Sequence, residues 1–292
     1  KLLYELWRDF GIDSFGGKWD YVEPVLFAAA CGEAIEAVFN AVVRQRGRAV
    51  AHCHEWLTGA TLLHLKRRAP EVATVFTAHA TVLGRALAGR GRDFYRELDT
   101  INPVEESQAC GISAKRNMEV AAAREADIFT TVSEVTAEEA TAFLHKTPDR
   151  VVHNGVSIQD LPDCSAPCEG QCRYRGFLRD FAQKFLAKEL PENVRFWVTA
   201  GRFEYHNKGY DLFLEALARL NQELTGNPAA PPVVALFLIA SGHKGVQEGV
   251  YRRIQGGAAA DPVGIETHRL HDEHNDPVVN ASHRLQLRNA PG

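Results

Sequence analysis

No stretch of the 292-residue chain strings together the roughly 20 apolar residues that a membrane-spanning helix needs. The opening KLLYELWRDF scatters charge through a helical pattern and lacks the zones of a secretion signal. A membrane anchor is therefore not expected, and the cytoplasm is the expected compartment. Surplus basic charge is missing as well: 33 Lys and Arg against 37 Asp and Glu leave a net charge of -4. Such a surface has no general attraction for nucleic acid or an anionic bilayer, so any cationic site must be local. Cysteine is sparse. Cys31, Cys53 and Cys110 stand alone, as free thiols used as small buried groups do. Cys164, Cys168 and Cys172 recur in CSAPCEGQC, but the spacing departs from the usual zinc and iron-sulfur patterns and no fourth ligand lies nearby. A variable loop is preferred there to a metal site. Internal repeats and low-complexity segments are absent too. The chain does not open on methionine and ends in the loop-like RNAPG, so a fragment is expected.

What is present suits two domains with ordinary cores, since 45% of the residues are hydrophobic and 24% charged. From residue 48 onward, apolar runs alternate with helical patterns. RAVAHCH (48–54), EVATVFTAH (71–79), DIFTTVS (127–133) and RVVHNG (150–155) read as strands, and a capping box, Thr136 to Glu139, reads as the start of a helix. Strands of this length separated by helices predict a parallel sheet covered on both faces. After the cysteine segment and a helical YRGFLRDFAQKFLAKEL, the rhythm resumes with a strand at 194–201, a helix at 208–224 and a strand at 233–241. From Gly242 onward the weak periodicity predicts mostly loop. The expected organisation is an N-terminal domain over 1–160, a connecting loop and helix over 161–193, and a second domain over 194–292.

In open α/β sheets, ligands bind beyond the carboxyl ends of the strands. Polar residues follow four of the predicted strands: His52, His54 and Glu55 in HCHEW; His79 and Arg85 in TAHATVLGR; Asn154 before Gly155; and Arg202 with Lys208 in AGRFEYHNKGY. Together they point to one cleft between the domains. A helix N-terminus is already electropositive, so a lysine placed there is misplaced unless an anion joins it. The plainer alternative pairs Arg202 with Glu204 and leaves Lys208 solvated near Asp211. The two histidines and the glutamate of HCHEW could also suggest zinc, but no further ligands accompany them. Glu55 reads equally well as an acceptor-binding carboxylate or as a helix N-terminal charge, and Asn-Gly alone would ordinarily suggest a hairpin turn.

AHCHEWLTG, VFTAHATVLGR, DFYRELD, GISAKRNMEVAAAREADIFTTVSEVTAEEA, AGRFEYHNKGYDLFLEALARLN, HKG and DPVVNASHRLQLRNAP occur in this order, and together the sequence resembles the glycogen synthases of the animal and fungal type. The resemblance runs through the whole chain apart from the cysteine segment. It implies the GT-B fold, an α/β architecture of two Rossmann-like parallel-sheet domains, here both incomplete. It also implies glucose transfer from a nucleotide-glucose, usually UDP-glucose, to the nonreducing end of an α-1,4-glucan with retention at the anomeric carbon. A nucleotide-sugar donor and a glucan acceptor are then the expected partners; no separate cofactor is expected, and a homo-oligomer is allowed.

The resemblance carries diphosphate binding onto Arg202 and Lys208, with Gly209 letting the backbone approach. It places His79 by the donor sugar, Arg85 near phosphate or acceptor, Glu55 at the acceptor side and Asn154 by the glucose. His153 stands where the family often has proline. The family's glycine-rich loop after its first strand and its late acidic motif are not visible, so weak or no activity is expected of a fragment. The alternatives are a noncatalytic carbohydrate-binding protein of the same descent or another GT-B enzyme such as one like sucrose synthase.

Overall fold

Four runs rich in Val, Thr and Phe pair as parallel strands in the first of two units, Lys1–Val156 and Ser157–Gly292. The computed structural model describes residues 1–14, 16–160, 169–227, 229–257 and 264–289. Unit 1 runs α1 (Leu2–Phe10), α2 (Trp19–Val38), β1 (Val50–His54), α3 (Gly59–Arg68), β2 (Ala73–Ala78), α4 (Val82–Gly89) and α5 (Pro103–Ala109). It continues through α6 (Ser113–Glu125), β3 (Ile128–Thr131), α7 (Glu134–Leu144) and β4 (Arg150–Val151). The strands lie in the order β1-β2-β3-β4, all parallel, so their carboxyl ends share one edge. Cys53, Phe76 and Phe129 are in register across the sheet, all buried, and the rings of Phe76 and Phe129 stack at 5.8 Å. Leu62 and Leu63 of α3 and Met118, Ala121 and Ala122 of α6 close the core over that face.

The opposite face is covered only in part: Thr77 and Thr130 on it are buried, and Val75 is half-buried. At the β1 edge Val50, His52 and His54 are exposed, and Ile128 on β3 is 43% exposed. The alternation along β1 accounts for this: Ala51 and Cys53 are the inward residues, and the histidines fall on the outward parity. The predicted capping box is also corrected. Ser133 caps α7 by accepting from the Thr136 N–H at 3.1 Å, and Glu139 is turned inward instead of reaching back to the cap.

The expectation that no helix could cross a bilayer is corrected as well. Trp19–Val43 forms 25 residues of continuous helix, long and apolar enough to cross a membrane by length and composition alone, its most apolar 18-residue window having a mean hydropathy of 1.6. Its inner stripe is packed within unit 1. Tyr21, Val25, Ala28 and Gly32 are buried, the Thr61 hydroxyl donates to the Ala28 carbonyl at 2.7 Å, and Glu36 meets the His64 ring at 2.7 Å.

Unit 2 contains α8 (Glu169–Leu186), β5 (Arg195–Arg202), α9 (Tyr210–Thr225), β6 (Val233–Ala240), β7 (His243–Val246), α10 (Glu248–Ile254), β8 (His268–Leu270) and α11 (Pro277–Arg284). β5 and β6 are parallel, and α9 is the crossover that this direction requires. Its Phe213 ring packs 5.2 Å from Phe237 on β6. The segment after Gly242, expected as loop, instead forms the antiparallel pair β7-β8 and two helices. Elements of three to eight residues are too short to show periodicity, although Asp276-Pro277 was a legible start. The Asp276 carboxylate accepts from the N–H groups of Val278 and Val279 at 2.9 and 3.1 Å, and Pro277 occupies the first helical turn. Cys164 and Cys168 lie outside the described residues; Cys172 is an exposed free thiol, and Cys53 is buried.

Removing the Phe76 ring from the fully buried seam should destabilise the chain by about 3–5 kcal/mol. Val50→Ala, at a site 67% exposed on the same sheet, should stay within about 0.5 kcal/mol of the parent. Urea unfolding monitored by circular dichroism checks both, and equal losses would contradict the assignment of the core to the α3 and α6 face.

Candidate functional site

At the carboxyl edge of the unit 1 sheet, β1 and β2 end side by side and each delivers one predicted residue. Glu55, directly after β1, has φ 62 and ψ 165. A side-chain-bearing residue enters this region only at a cost of order 1–3 kcal/mol, so neighbouring bonds must hold it there. They do so from three sides. The Glu55 N–H donates to the Thr77 carbonyl at 2.9 Å, the Glu55 carbonyl accepts from the Thr58 N–H at 3.1 Å, and its Oε1 accepts from the His79 N–H at 2.8 Å. Beside the two roles left open for Glu55, its side chain makes a structural bond here. It ties the end of β1 to the first residue beyond β2.

Two further carboxyls hold the next residues: Glu119, not singled out in the sequence, and Glu139, read there only as part of a capping box. Glu119 on α6 is fully buried, and its Oε2 accepts from the Val82 N–H at 3.1 Å. Glu139 on α7 accepts from the Thr81 hydroxyl at 2.7 Å and from the Tyr95 hydroxyl. Thr81 in turn caps α4 by accepting from the Gly84 N–H at 2.9 Å. Gly84 leaves this network its room: a Cβ there would crowd the Glu139 carboxyl and the Thr81 hydroxyl. Three acids from three elements thus grip His79 to Val82, the segment that leads into Arg85 in the first turn of α4.

The electrostatics of this grip are unequal. Burial pushes the Glu119 carboxyl up to about 8; the Val82 N–H opposes the rise, Glu55 and Glu139 add to it, and Arg116 offsets little. The Arg116 guanidinium is turned to the Phe143 carbonyl at 2.7 Å, and both its Nε and Glu119 Oε1 lack a partner. Tyr95 is raised from its ordinary range by burial and by its bond to Glu139. Such acids leave a trace in sequence only as charges on an otherwise apolar stripe, here Glu119 between Met118 and the alanines of α6.

His79 is exposed, and its Nε2 lies 3.0 Å from Nδ1 of His54. Asn154 is also exposed, beyond the end of β4. Two strand spacings separate β4 from β2, about 10 Å. The Asn-Gly pair does not turn a hairpin; the chain passes into a short helical turn at Ile158–Asp160. Among the described residues, no three His, Cys, Asp or Glu are grouped as a metal ion would need.

In unit 2, Arg202 is the last residue of β5, and Gly209, at φ 65, caps α9. Lys208 therefore stands just before the helix cap, not inside the first turn, and its side chain is exposed. Its stem crosses Gly201, where a Cβ would lie 3.6 Å from Lys208 Cδ and 2.8 Å from the Tyr210 hydroxyl oxygen. The strand and helix start are therefore drawn close together. The plain pairing of Arg202 with Glu204 is present at 2.9 Å, on an arginine side chain 66% exposed. Asp211, however, bonds the His206 ring at 2.7 Å.

A family model described as glycogen synthase matches residues 3–248. A glycogen [starch] synthase of Neurospora crassa is 32% identical over 85% of this chain and 43% of its own length. Glycogen [starch] synthase isoform 2 of Saccharomyces cerevisiae is 38% identical over 65% of this chain and 28% of its own. The liver glycogen [starch] synthase of Rattus norvegicus is 37% identical over 65% and 27% respectively. The chain thus spans less than half the length of these relatives.

The buried Glu119 makes a pH dependence. Between the ordinary carboxyl value of 4.5 and about 8, the folded chain keeps a proton that the unfolded chain releases. Its contribution is therefore full below the lower value and is lost as pH rises to the upper one, at up to ~1.4 kcal/mol per pH unit. Glu119→Gln keeps an acceptor for Val82 and removes the titration. The stability of the variant relative to the parent should climb by on the order of 3 kcal/mol from about pH 5 to about pH 8, read from urea midpoints. Parallel curves would contradict the buried, protonated carboxyl.

Proposed function

The chain belongs to the glycogen synthase family, and from that premise we propose that it is the part of a retaining GT-B glucosyltransferase that handles the donor diphosphate and one wall of the sugar site. The reaction proposed is transfer of glucose from a nucleotide-glucose, with UDP-glucose the expected donor, to the nonreducing end of an α-1,4-glucan. The observation that carries this reading is the turn between β5 and α9. It presents two exposed cations, Arg202 and Lys208, at the end of a parallel strand and the start of a helix.

Cleavage of the bond between glucose C1 and the diphosphate moves negative charge onto the leaving oxygen. Fixed cations there favour the transition state over the ground state. Arg202 can fork two hydrogen bonds onto phosphate oxygens and Lys208 adds a compact charge, while the left-handed Gly209 leaves the backbone open to close approach. The Arg202–Glu204 pair does not argue against this role. The guanidinium carries five N–H donors on a side chain 66% exposed, and the bond to Glu204 is made from Nη2, so phosphate oxygens can bind Arg202 beside that carboxylate. His79 is proposed to orient a hydroxyl of the donor glucose and Asn154 to contact the same sugar. Arg85 is assigned to phosphate or acceptor, and Glu55 acts through the His79 backbone at the acceptor side.

Lys208→Ala and Arg202→Ala should each weaken binding of UDP about 10- to 100-fold, measured by isothermal titration at fixed ionic strength. Glucose incorporation into glycogen from UDP-glucose should fall at least as far in any preparation that shows transfer. Unchanged affinity in both variants would overturn the assignment.

A further inference from the structure

The open face of the unit 1 sheet carries a row of polar groups that the proposed reaction does not by itself require. His52 and His54 alternate with buried Ala51 and Cys53 on β1, so both rings project from the same face and stack with centroids 4.2 Å apart. His52 is fixed in place: its Nε2 lies 2.7 Å from the Thr77 hydroxyl, which lies 2.6 Å from the Thr130 hydroxyl on the next strand. His54 rests on that anchored ring and reaches one strand across, where its Nδ1 meets Nε2 of His79 at 3.0 Å. The backbone of His79 is held independently by Glu55. A ring whose backbone and one nitrogen are both fixed has little freedom left about its side-chain torsions.

Hydrogen bonding between two imidazoles has a chemical consequence. One nitrogen must carry the proton and the other must accept it, so the contact links the tautomers of the two rings. With Nε2 occupied, Nδ1 is the only ring nitrogen that His79 can offer to a ligand. We propose that His54 is a positioning residue for His79: it holds Nε2 and so makes Nδ1 the nitrogen that faces a sugar hydroxyl. The inference rests on the reading of His79 as the group beside the donor glucose, and it adds which atom does the work and what holds it. The neutral form that such a bond needs is favoured at His54, whose pKa is lowered by burial first and then by the neighbouring charges of His52 and His79.

Long-range 15N–1H correlation spectra of the imidazoles, recorded on the whole chain near neutral pH, test this without any need for turnover. The parent should show His79 with a hydrogen-bonded Nε2 and one dominant tautomer. His54→Phe preserves a ring over His52 but removes the nitrogen, and the His79 signals should move to the averaged pattern of a free imidazole. His54→Asn restores a polar group near the Nδ1 position and should return the Nε2 signal toward the parent. Because His54 is exposed, neither variant empties the core, and unchanged backbone amide spectra away from β1 and β2 confirm the fold. His79 signals identical in parent and His54→Phe would overturn the proposal. If UDP affinity ignores Lys208 and Arg202 but the His79 signals respond to His54, the positioning stands and the glucosyl-transfer reading falls. The converse pattern sinks the positioning alone.

Discussion

A parallel strand ends with backbone groups that no neighbour is obliged to satisfy, and in unit 1 carboxyl oxygens take up groups at and just beyond the end of β2. Glu55, Glu119 and Glu139 receive the His79 N–H, the Val82 N–H and the Thr81 hydroxyl. The position of His79 and the direction of α4 both follow from this grip. The arrangement carries costs: Glu55 sits at positive φ, and Glu119 is buried with one oxygen unpartnered. A neutral carboxylic acid is far cheaper to bury than its anion, and the raised pKa of Glu119 is how the fold limits that cost.

Unit 2 solves the complementary problem with the opposite charge. Its strand-to-helix turn bonds the N–H groups of Glu204, Lys208, Gly209 and Tyr210 to its own carbonyls and carries two exposed cations, with the half-buried Glu204 paired to Arg202. Asp211, the acid best placed to neutralise the start of α9, is engaged by His206. Acids that hold backbone and cations exposed at a strand-to-helix turn suit different tasks: the first fixes geometry, and the second is proposed to receive a charged ligand.

Much of the strand and helix order was legible because it repeats on the scale of a helical turn or a strand, as in VFTA of β2 and the amphipathic α9. Family motifs added the residues after each strand. What escaped did so for identifiable reasons. Glu119 and Glu139 look like ordinary helix charges until tertiary packing turns them inward. The openness of one sheet face is written only in the parity of His52 and His54, and parity has no meaning until the partner strand is known. α2 passed unnoticed because Glu33 and Glu36 interrupt its apolar run without breaking the helix, and the elements beyond Gly242 are too short to show a period.

The turn from Arg202 to Gly209 is proposed to receive the diphosphate of a nucleotide sugar. Amide chemical-shift mapping of the 15N-labelled chain during titration with UDP-glucose addresses it most directly. The largest saturable shifts should fall on Arg202, Lys208, Gly209 and the first turn of α9. Saturable shifts confined to other segments, with this turn unmoved, would contradict it.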